Sequence, residues 1–250
     1  MSDAVVLAGL FFLTATLYTS VGHAGASGYL AAMALFGMAD DKFRTVALVL
    51  NIVAATPTSI RFISAGHFDR KLFLPLAIGS VPLAFTGSLF TIPGEIVEPI
   101  IGTALLIAAV RFLWSPTVNR DAVRPMPIAV GVLLGVVIGF ASGLTGVGGG
   151  VYLTPILLLM KWADTKTAAG VSATFILANS AAAIVGRILK AQSFPSELPY
   201  WALAVLAGSL IGATLGSRVL GGQVLRRILA VVLLIAAAKL LFGSVELLWK

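Results

Sequence analysis

The chain has 250 residues, of which 59% are hydrophobic and only 11% are charged, and its mean hydropathy is +1.04. A soluble domain of this length needs far more surface charge, so the composition excludes a soluble protein and predicts several membrane spans. The chain has no cysteine, which excludes disulfides and thiolate metal sites. The net charge of +7 comes from short connectors without a basic stripe, which favours charged cytosolic loops over a nucleic-acid partner.

The first apolar region, 4–37, contains a glycine-rich stretch at 20–30. No basic residue precedes the region, so we expect it to stay in the protein and not to be removed as a signal peptide. A straight helix of 34 residues would be about 51 Å long, whereas the hydrocarbon core is about 30 Å thick. The region must therefore bend back, unwind or re-enter.

Three further apolar runs, 44–63, 72–92 and 96–114, predict three spans that complete the first half. The connector 61–71 is basic and indicates the cytosolic side, as does the connector that holds Arg111, Arg120 and Arg124. The connector 90–98 carries Glu95 and Glu98 without a base, which indicates the outside.

The second half repeats this order, with an interrupted region at 127–160 and apolar runs at 167–189, 199–217 and 224–243. Gly79 and Gly87 recur as Gly208 and Gly216, and the equivalent loops 90–98 and 218–227 have opposite charge. We therefore predict an all-α integral membrane protein of two inverted repeats. Each repeat is a glycine-broken or re-entrant helical segment plus three transmembrane helices, with repeat one at 1–114, a cytosolic linker at 115–126 and repeat two at 127–250. One extra crossing would instead make the repeats parallel.

The second glycine stretch, 143–150, holds five glycines. Unwound backbone is tolerated in hydrocarbon only where protein or a watery cavity satisfies its N–H and C=O groups. We expect Gly148, Gly149 and Gly150 to lead into a short helix whose free N–H groups favour an anion. The alternative is close helix packing through small residues, which suits isolated pairs such as Gly79 and Gly87 better.

Polar residues near both stretches complete the predicted site. Asn51 and Asn179 are amides at membrane depth, and each should face a partner, a water or a substrate. His23 is titratable, although a packed neutral histidine is an equal alternative. Arg61 and Arg187 either snorkel to the headgroups or recruit an anion. The candidate substrate-binding residues are Ser20, Gly22, His23, Gly25, Ser27, Asn51, Thr145, Gly146, Gly148, Gly149, Gly150, Ser172, Thr174 and Asn179, and for most of the hydroxyls a bond to the own helix is the competing role.

All ten Asp and Glu residues lie in termini, in connectors or at helix ends. The sequence therefore offers no buried carboxylate to relay protons or hold sodium. An inside-negative potential of about 100 mV drives a monovalent anion outward by about 2.3 kcal/mol, nearly fiftyfold in concentration. We expect export without a coupling ion, a metal or a cofactor.

The segments GFASGLTGVGGG at 139–150, TP at 154–155 and AAGVSAT at 168–174 resemble the signature of the TauE/SafE sulfite exporters, also called four-toluene sulfonate uptake permeases. The resemblance implies a secondary transporter that moves sulfite, a sulfonate, sulfoacetate or a related small anion across the bacterial cytoplasmic (inner) membrane. The first half departs from this signature at His23 and Ser27, so we expect substrate choice to be set there.

Two alternatives remain. A passive anion channel would show no saturation and no exchange between labelled anions. The pattern G-x-S-G at 25–28 fits an intramembrane serine protease, but Ser27 would then need a histidine on another membrane helix, and His23 and His67 do not supply one. The expected partners are the sulfur anion and the lipid bilayer, with no nucleic acid, and a homodimer is left open.

Overall fold

The computed structural model describes residues 3–38, 41–90, 102–110 apart from 104 and 108, 123–188 and 194–248, and the regular structure in these ranges is helical. Most of the predicted linker 115–126 lies outside the described residues. In chain order the helices are α1 (Asp3–Ser20), α2 (Ala26–Leu35), α3 (Asp41–Ser64), α4 (Arg70–Ser88), α5 (within 102–110), α6 (Ile128–Thr145), α7 (Gly150–Leu159), α8 (Thr165–Ile188), α9 (Leu198–Thr214, continued by a π-helical turn at Leu215–Val219) and α10 (Gly222–Leu248).

Six helices in the described ranges, α1, α3, α4, α6, α8 and α9, are long and apolar enough to cross a bilayer. The four predicted spans at 44–63, 72–92, 167–189 and 199–217 correspond to α3, α4, α8 and α9. The predicted all-α membrane fold is therefore confirmed.

Each interrupted region is a long helix followed by a short one. In the first half Phe11 of α1 stacks edge-on against Tyr29 of α2, with ring centroids 5.3 Å apart, and Gly28 lies against Thr14, so α2 returns along α1. In the second half Tyr152 of α7 lies 3.5 Å from Thr145 of α6, between their hydroxyl oxygens, and α7 packs on α8. The short helices have 10 residues each, about 15 Å, which is half the thickness of the hydrocarbon core.

Helices of the first half pack against helices of the second half. Helix α1 packs along α9 of the other half, and α4 packs along α6. Between α3 and α8, Gly170 near the start of α8 lies against His67 just past the end of α3, and Asn51 meets Ser180 near mid-helix. These two helices, which occupy equivalent places in the two halves, therefore run antiparallel.

Small residues allow the close packing at these crossings. A Cβ added to Gly135, Gly139 or Gly143 of α6 would fall on a backbone carbonyl of α4, and Gly208 and Gly216 of α9 lie equally close to α1. This stripe at four-residue spacing is a helix-packing surface. The packing interpretation thus applies to the regularly spaced glycines.

Buried aromatic side chains fill the space beside the first short helix. Phe11 contacts both Tyr29 and Trp201, and all three are buried. A second apolar cluster, around Phe175 and Leu153, surrounds α7. The short helices are therefore enclosed by protein and not by lipid, as non-spanning backbone at membrane depth requires.

Candidate functional site

Both chain breaks depend on glycine. The first break, residues 21–25, holds Gly22 (φ 79°) and Gly25 (φ 104°), and the second break, residues 146–149, holds Gly146 (φ 74°), Gly148 (φ 83°) and Gly149 (φ 80°). L side chains rarely adopt this left-handed conformation. Helix α7 begins at Gly150, within one residue of the start predicted from the sequence.

The first break reaches the second through His23. Its Nε2 lies 3.2 Å from the carbonyl oxygen of Gly150 and 2.9 Å from Oγ1 of Thr154. Thr154 in turn donates to the hydroxyl of Ser172 at 2.6 Å, and all three polar side chains are buried. His23 is therefore a packed histidine that joins the two broken segments, and the role left open by the sequence is at least structural.

Asn51 of α3 lies on the other side of the second break. Its Nδ2 donates to the carbonyl oxygen of Val147 at 3.2 Å and to Oγ of Ser180 at 3.4 Å. A Cβ built on Gly148 would come within 2.8 Å of the same Nδ2. An amide at membrane depth thus pairs with unwound backbone, as the sequence argument requires.

Asn179, one residue before Ser180, is fully buried. Neither its Nδ2 nor its Oδ1 has a hydrogen-bond partner, and neither does the hydroxyl of Ser142 on α6, within the part of the chain that the structure describes. Ser142 lies at the break, because its Cβ would be 3.3 Å from a Cβ on Gly149, and Asn179 directly precedes Ser180, whose Oγ would be 3.0 Å from a Cβ on Gly148. Buried polar groups without partners therefore border the second break.

Most of the predicted hydroxyl donors bond their own helix. Ser20 donates to Leu17 O at 2.6 Å, Thr145 to Ala141 O at 2.8 Å and Thr174 to Gly170 O at 3.0 Å. Ser27 donates to the hydroxyl of Tyr18 at 3.2 Å. These contacts favour the structural alternative for the four side chains.

The predicted site residues thus divide into two groups. The structure gathers around the second break His23, Asn51, Thr145, Gly146, Gly148, Gly149, Gly150, Ser172 and Asn179. The remainder lie at the first break or away from both: Ser20, Gly22, Gly25, Ser27 and Thr174.

Arg61 and Arg187 lie in the last turns of α3 and α8. Arg61 is half-buried, consistent with snorkelling, but Arg187 is fully buried. The reason is that α4 covers this end of α8, where Gly186 packs against Phe85 and Ser88. The burial of Arg187 argues against snorkelling.

Sequence reasoning missed Arg44, in the first turns of α3. Its Nη1 donates to the carbonyl of Leu144 at 3.4 Å, and its Cβ would be 3.2 Å from a Cβ on Gly146. It also missed Thr154, Ser142 and Ser180. Their position within or next to the glycine stretch, or on α8, was the only sequence signal that could have identified them, because a contact between two helices leaves no local pattern in the sequence.

Two cavities lie beside residues 66–75 and 123–128. One of about 670 Å³ is lined by Arg70, Lys71 and Arg124, by Asp69 and by Trp162 among apolar residues. A second of about 330 Å³ shares Asp69 and Trp162 with it and is also lined by Asp164 and Thr167. We call the first of these cavities the vestibule, and its lining carries three cations and one carboxylate.

The carboxylates whose side chains the structure describes, Asp3, Asp69, Asp164 and Glu197, are not buried. Asp164 accepts from the N–H groups of Lys166 and Thr167 and thereby caps the start of α8. Within the described residues no group of three or more His, Asp or Glu could hold a metal ion.

The protease pattern is not assembled. The hydroxyl of Ser27 donates to Tyr18, while His23 directs Nε2 to Gly150 and Thr154. A serine nucleophile requires a histidine base within hydrogen-bond reach, and these contacts place the two side chains with other partners.

Comparison with known proteins gives a consistent result. Residues 7–240 match the family model described as sulfite exporter TauE/SafE. A probable membrane transporter protein of Sinorhizobium fredii is 36% identical over 245 residues, covering 96% of this chain and 99% of the relative. A probable membrane transporter protein of Bacillus subtilis is 29% identical over 268 residues, covering 96% of this chain and 100% of the relative. A probable membrane transporter protein of Methanocaldococcus jannaschii is 31% identical over 102 residues, covering 39% of this chain and 38% of the relative. No solved structure matches significantly.

The family match includes both breaks and every candidate site residue. Two relatives, each named a probable membrane transporter protein, are matched over nearly their whole length. In the described part of the chain six helices are long and apolar enough to span a bilayer. The protein is therefore a multi-pass membrane transporter, and the chain belongs to the TauE/SafE sulfite exporter family.

Proposed function

We propose that this transporter moves a small sulfur-containing anion, such as sulfite, a sulfonate or sulfoacetate, across the bacterial cytoplasmic membrane. The observation that carries the proposal is the meeting of the two breaks, where His23 of the first contacts Gly150 of the second. The described chain places this junction inside the bundle, with Asn51 and Asn179 buried beside it.

The second break supplies an anion cradle. Gly150 is the first residue of a 10-residue helix, and the first N–H groups of a helix have no acceptor within it. The positive end of the helix and these N–H groups favour an oxyanion. The unpartnered amide of Asn179 and hydroxyl of Ser142 add neutral donors next to this helix start.

The contacts between helices of the two halves support alternating access. The antiparallel α3 and α8, together with the crossed pairs α1 with α9 and α4 with α6, support the inverted repeats at 1–114 and 127–250. In transporters of this design, one repeat moves against the other around a central site. In the vestibule the cations Arg70, Lys71 and Arg124 outnumber the one carboxylate, Asp69, and this excess favours anion entry on one side.

Export is the favoured direction. A membrane potential of about 100 mV, negative inside, contributes about 2.3 kcal/mol to the outward movement of a monovalent anion. The site that we propose contains no carboxylate that would couple this movement to sodium or protons.

The test is transport by the purified full-length chain in liposomes. We expect labelled sulfite to move at a saturable rate, and unlabelled sulfite on the far side to accelerate it by exchange. Linear, non-exchanging flux would instead identify a channel. No flux of any sulfur anion above protein-free liposomes would overturn the proposal.

A matched pair of variants ties flux to the cradle. Gly149→Val places a side chain on Phe175 and Ile138 at a left-handed position, whereas Gly9→Val faces open space on α1. We expect the first to stop transport and the second to leave it unchanged. Normal transport by Gly149→Val would show that the anion binds elsewhere. A Ser27→Ala variant that keeps transport but abolishes cleavage of a membrane substrate would support the protease alternative.

A further inference from the structure

The orientation of Asn51 leaves a hydrogen-bond acceptor without a partner beside the second break. Nδ2 must face the carbonyl oxygen of Val147, at 3.2 Å, because a carbonyl can only accept. The opposite assignment of the amide would set two acceptors against each other. Oδ1 is therefore fixed as an acceptor, and it has no partner among the described residues.

His23 has a second hydrogen-bond acceptor without a partner among the described residues. Its Nε2 lies 3.2 Å from the Gly150 carbonyl and 2.9 Å from Oγ1 of Thr154. We assign the proton to Nε2, because the carbonyl can only accept whereas the Thr154 hydroxyl can take either role. In the neutral ring Nδ1 is then an acceptor, and it too is buried without a partner in the described chain. Asn51 and His23 contact the same short segment, and Gly148 and Gly150 are at most about 7 Å apart along it.

Asn179 adds a further acceptor, Oδ1, together with two N–H donors. All three side chains are at most 1% exposed. Buried polar groups normally have partners, so three such acceptors around one helix start are a property of the site and not of a solvated surface.

We infer, resting on the proposed function, that the transported anion carries a hydrogen-bond donor as well as its sulfonate or sulfite oxygens. The helix start and the amide and hydroxyl donors bind the oxygens. A hydroxyl or an acidic proton of the same ligand donates to one of the three acceptors on Asn51, His23 and Asn179, and an ammonium group can donate to more than one of them. An anion with acceptors only leaves these oxygens and this nitrogen desolvated and unpaired. Sites built to bind a substrate hydroxyl reject analogues without it, because their own buried groups then remain unsatisfied.

The experiment compares two sulfonates that differ by one hydroxyl, 2-hydroxyethanesulfonate and ethanesulfonate. Their uptake is measured in liposomes that contain the full-length chain, with sulfite as the reference and with choline or sodium as the cation. We expect 2-hydroxyethanesulfonate to move with a transport efficiency about tenfold or more above that of ethanesulfonate, independently of the cation.

The Asn179→Leu variant provides a second measurement. Asn179 makes no hydrogen bond in the described fold, so an apolar side chain of similar size should leave the melting temperature unchanged or raise it. The preference for the hydroxyl should fall at least threefold, by the order of magnitude of one lost hydrogen bond. Thr86→Val is the matched control, because that exposed hydroxyl bonds only its own helix.

The outcomes separate the two proposals. If sulfite moves but the two sulfonates move equally well, water satisfies the acceptors and the inference is wrong. A preference that exists only with sodium would show that a cation occupies them, which also overturns it. If none of the three anions moves, the proposed function itself fails.

Discussion

The substitution Gly148→Ala tests whether the second break must keep its present shape. Gly148 has φ 83°, and a Cβ there would lie 2.8 Å from Nδ2 of Asn51 and 3.0 Å from Oγ of Ser180. The amide cannot stay in place, so it loses its hydrogen bond to the carbonyl of Val147, a residue that is only 6% exposed. The variant thus disturbs the cradle with a single methyl group.

Two free-energy costs determine the expected effect of Gly148→Ala. A side chain at a left-handed position costs about 1–2 kcal/mol. Leaving the buried Val147 carbonyl without its donor costs about 1–3 kcal/mol more, which is about 5-fold to 150-fold in an equilibrium constant. Gly37→Ala isolates the first part, because Gly37 has φ 71° with nothing within 4 Å of its Cβ.

The assay measures initial rates of sulfite uptake per folded protein, alongside the melting temperature in detergent. We expect Gly37→Ala to lose some stability but to transport normally, and Gly148→Ala to lose about tenfold or more in rate. Asn51→Ser should lower the transport rate less in Gly148→Ala than in the wild type, because the Asn51 amide has already lost the Val147 carbonyl in that variant. Equal rates for the two alanine variants would refute the argument from the Asn51 contact.

Two further predictions concern the junction and the packing stripe. His23→Gln keeps an N–H for the Gly150 carbonyl and should transport within about threefold of the wild type, whereas His23→Leu should lose about fivefold or more; equal rates would remove this contact from the mechanism. Gly139→Val places its side chain on the Ser80 carbonyl of α4 and should lower folding stability by about 1–3 kcal/mol or more, seen as a lower melting temperature than that of Gly9→Val. An unchanged melting temperature would show that α4 and α6 can separate freely.

The sequence predicted the helices and the breaks because their causes are local. Uninterrupted apolar runs determine where α3, α4, α8 and α9 lie, and bilayer thickness requires an interruption in 4–37 and 127–160. The glycine run at 148–150 then identifies the start of α7 to within one residue.

The partners within the site could not be predicted in this way. Contacts such as His23 with Thr154 and Asn51 with Val147 join residues 131 and 96 positions apart, and no periodicity connects them. Arg44 was overlooked because a cation near a helix start normally indicates the membrane interface, whereas here it bonds the end of α6. The hydroxyls were overrated, since a serine or threonine in a helix usually has its own backbone as an acceptor.

The structure also changes where substrate choice is expected to reside. Ser27 and Tyr29 of the first half bond Tyr18 and the Ala24 carbonyl, so their hydroxyls are used within that half, whereas the unpartnered atoms border the second break. The sequence expectation that the first half sets substrate choice is therefore better replaced by a shared site, to which the first half contributes His23.

Each break is held by the other half, and this bears on how the proposed carrier would move. Gly22 of the first break packs on Ala169 at the start of α8, and Gly146 of the second packs on Arg44 at the start of α3. A displacement of α8 therefore acts directly on the first break, and a displacement of α3 on the second. Since α3 and α8 are antiparallel and touch at Asn51 and Ser180, sliding one past the other changes both breaks together, which is the coupling that alternating access requires.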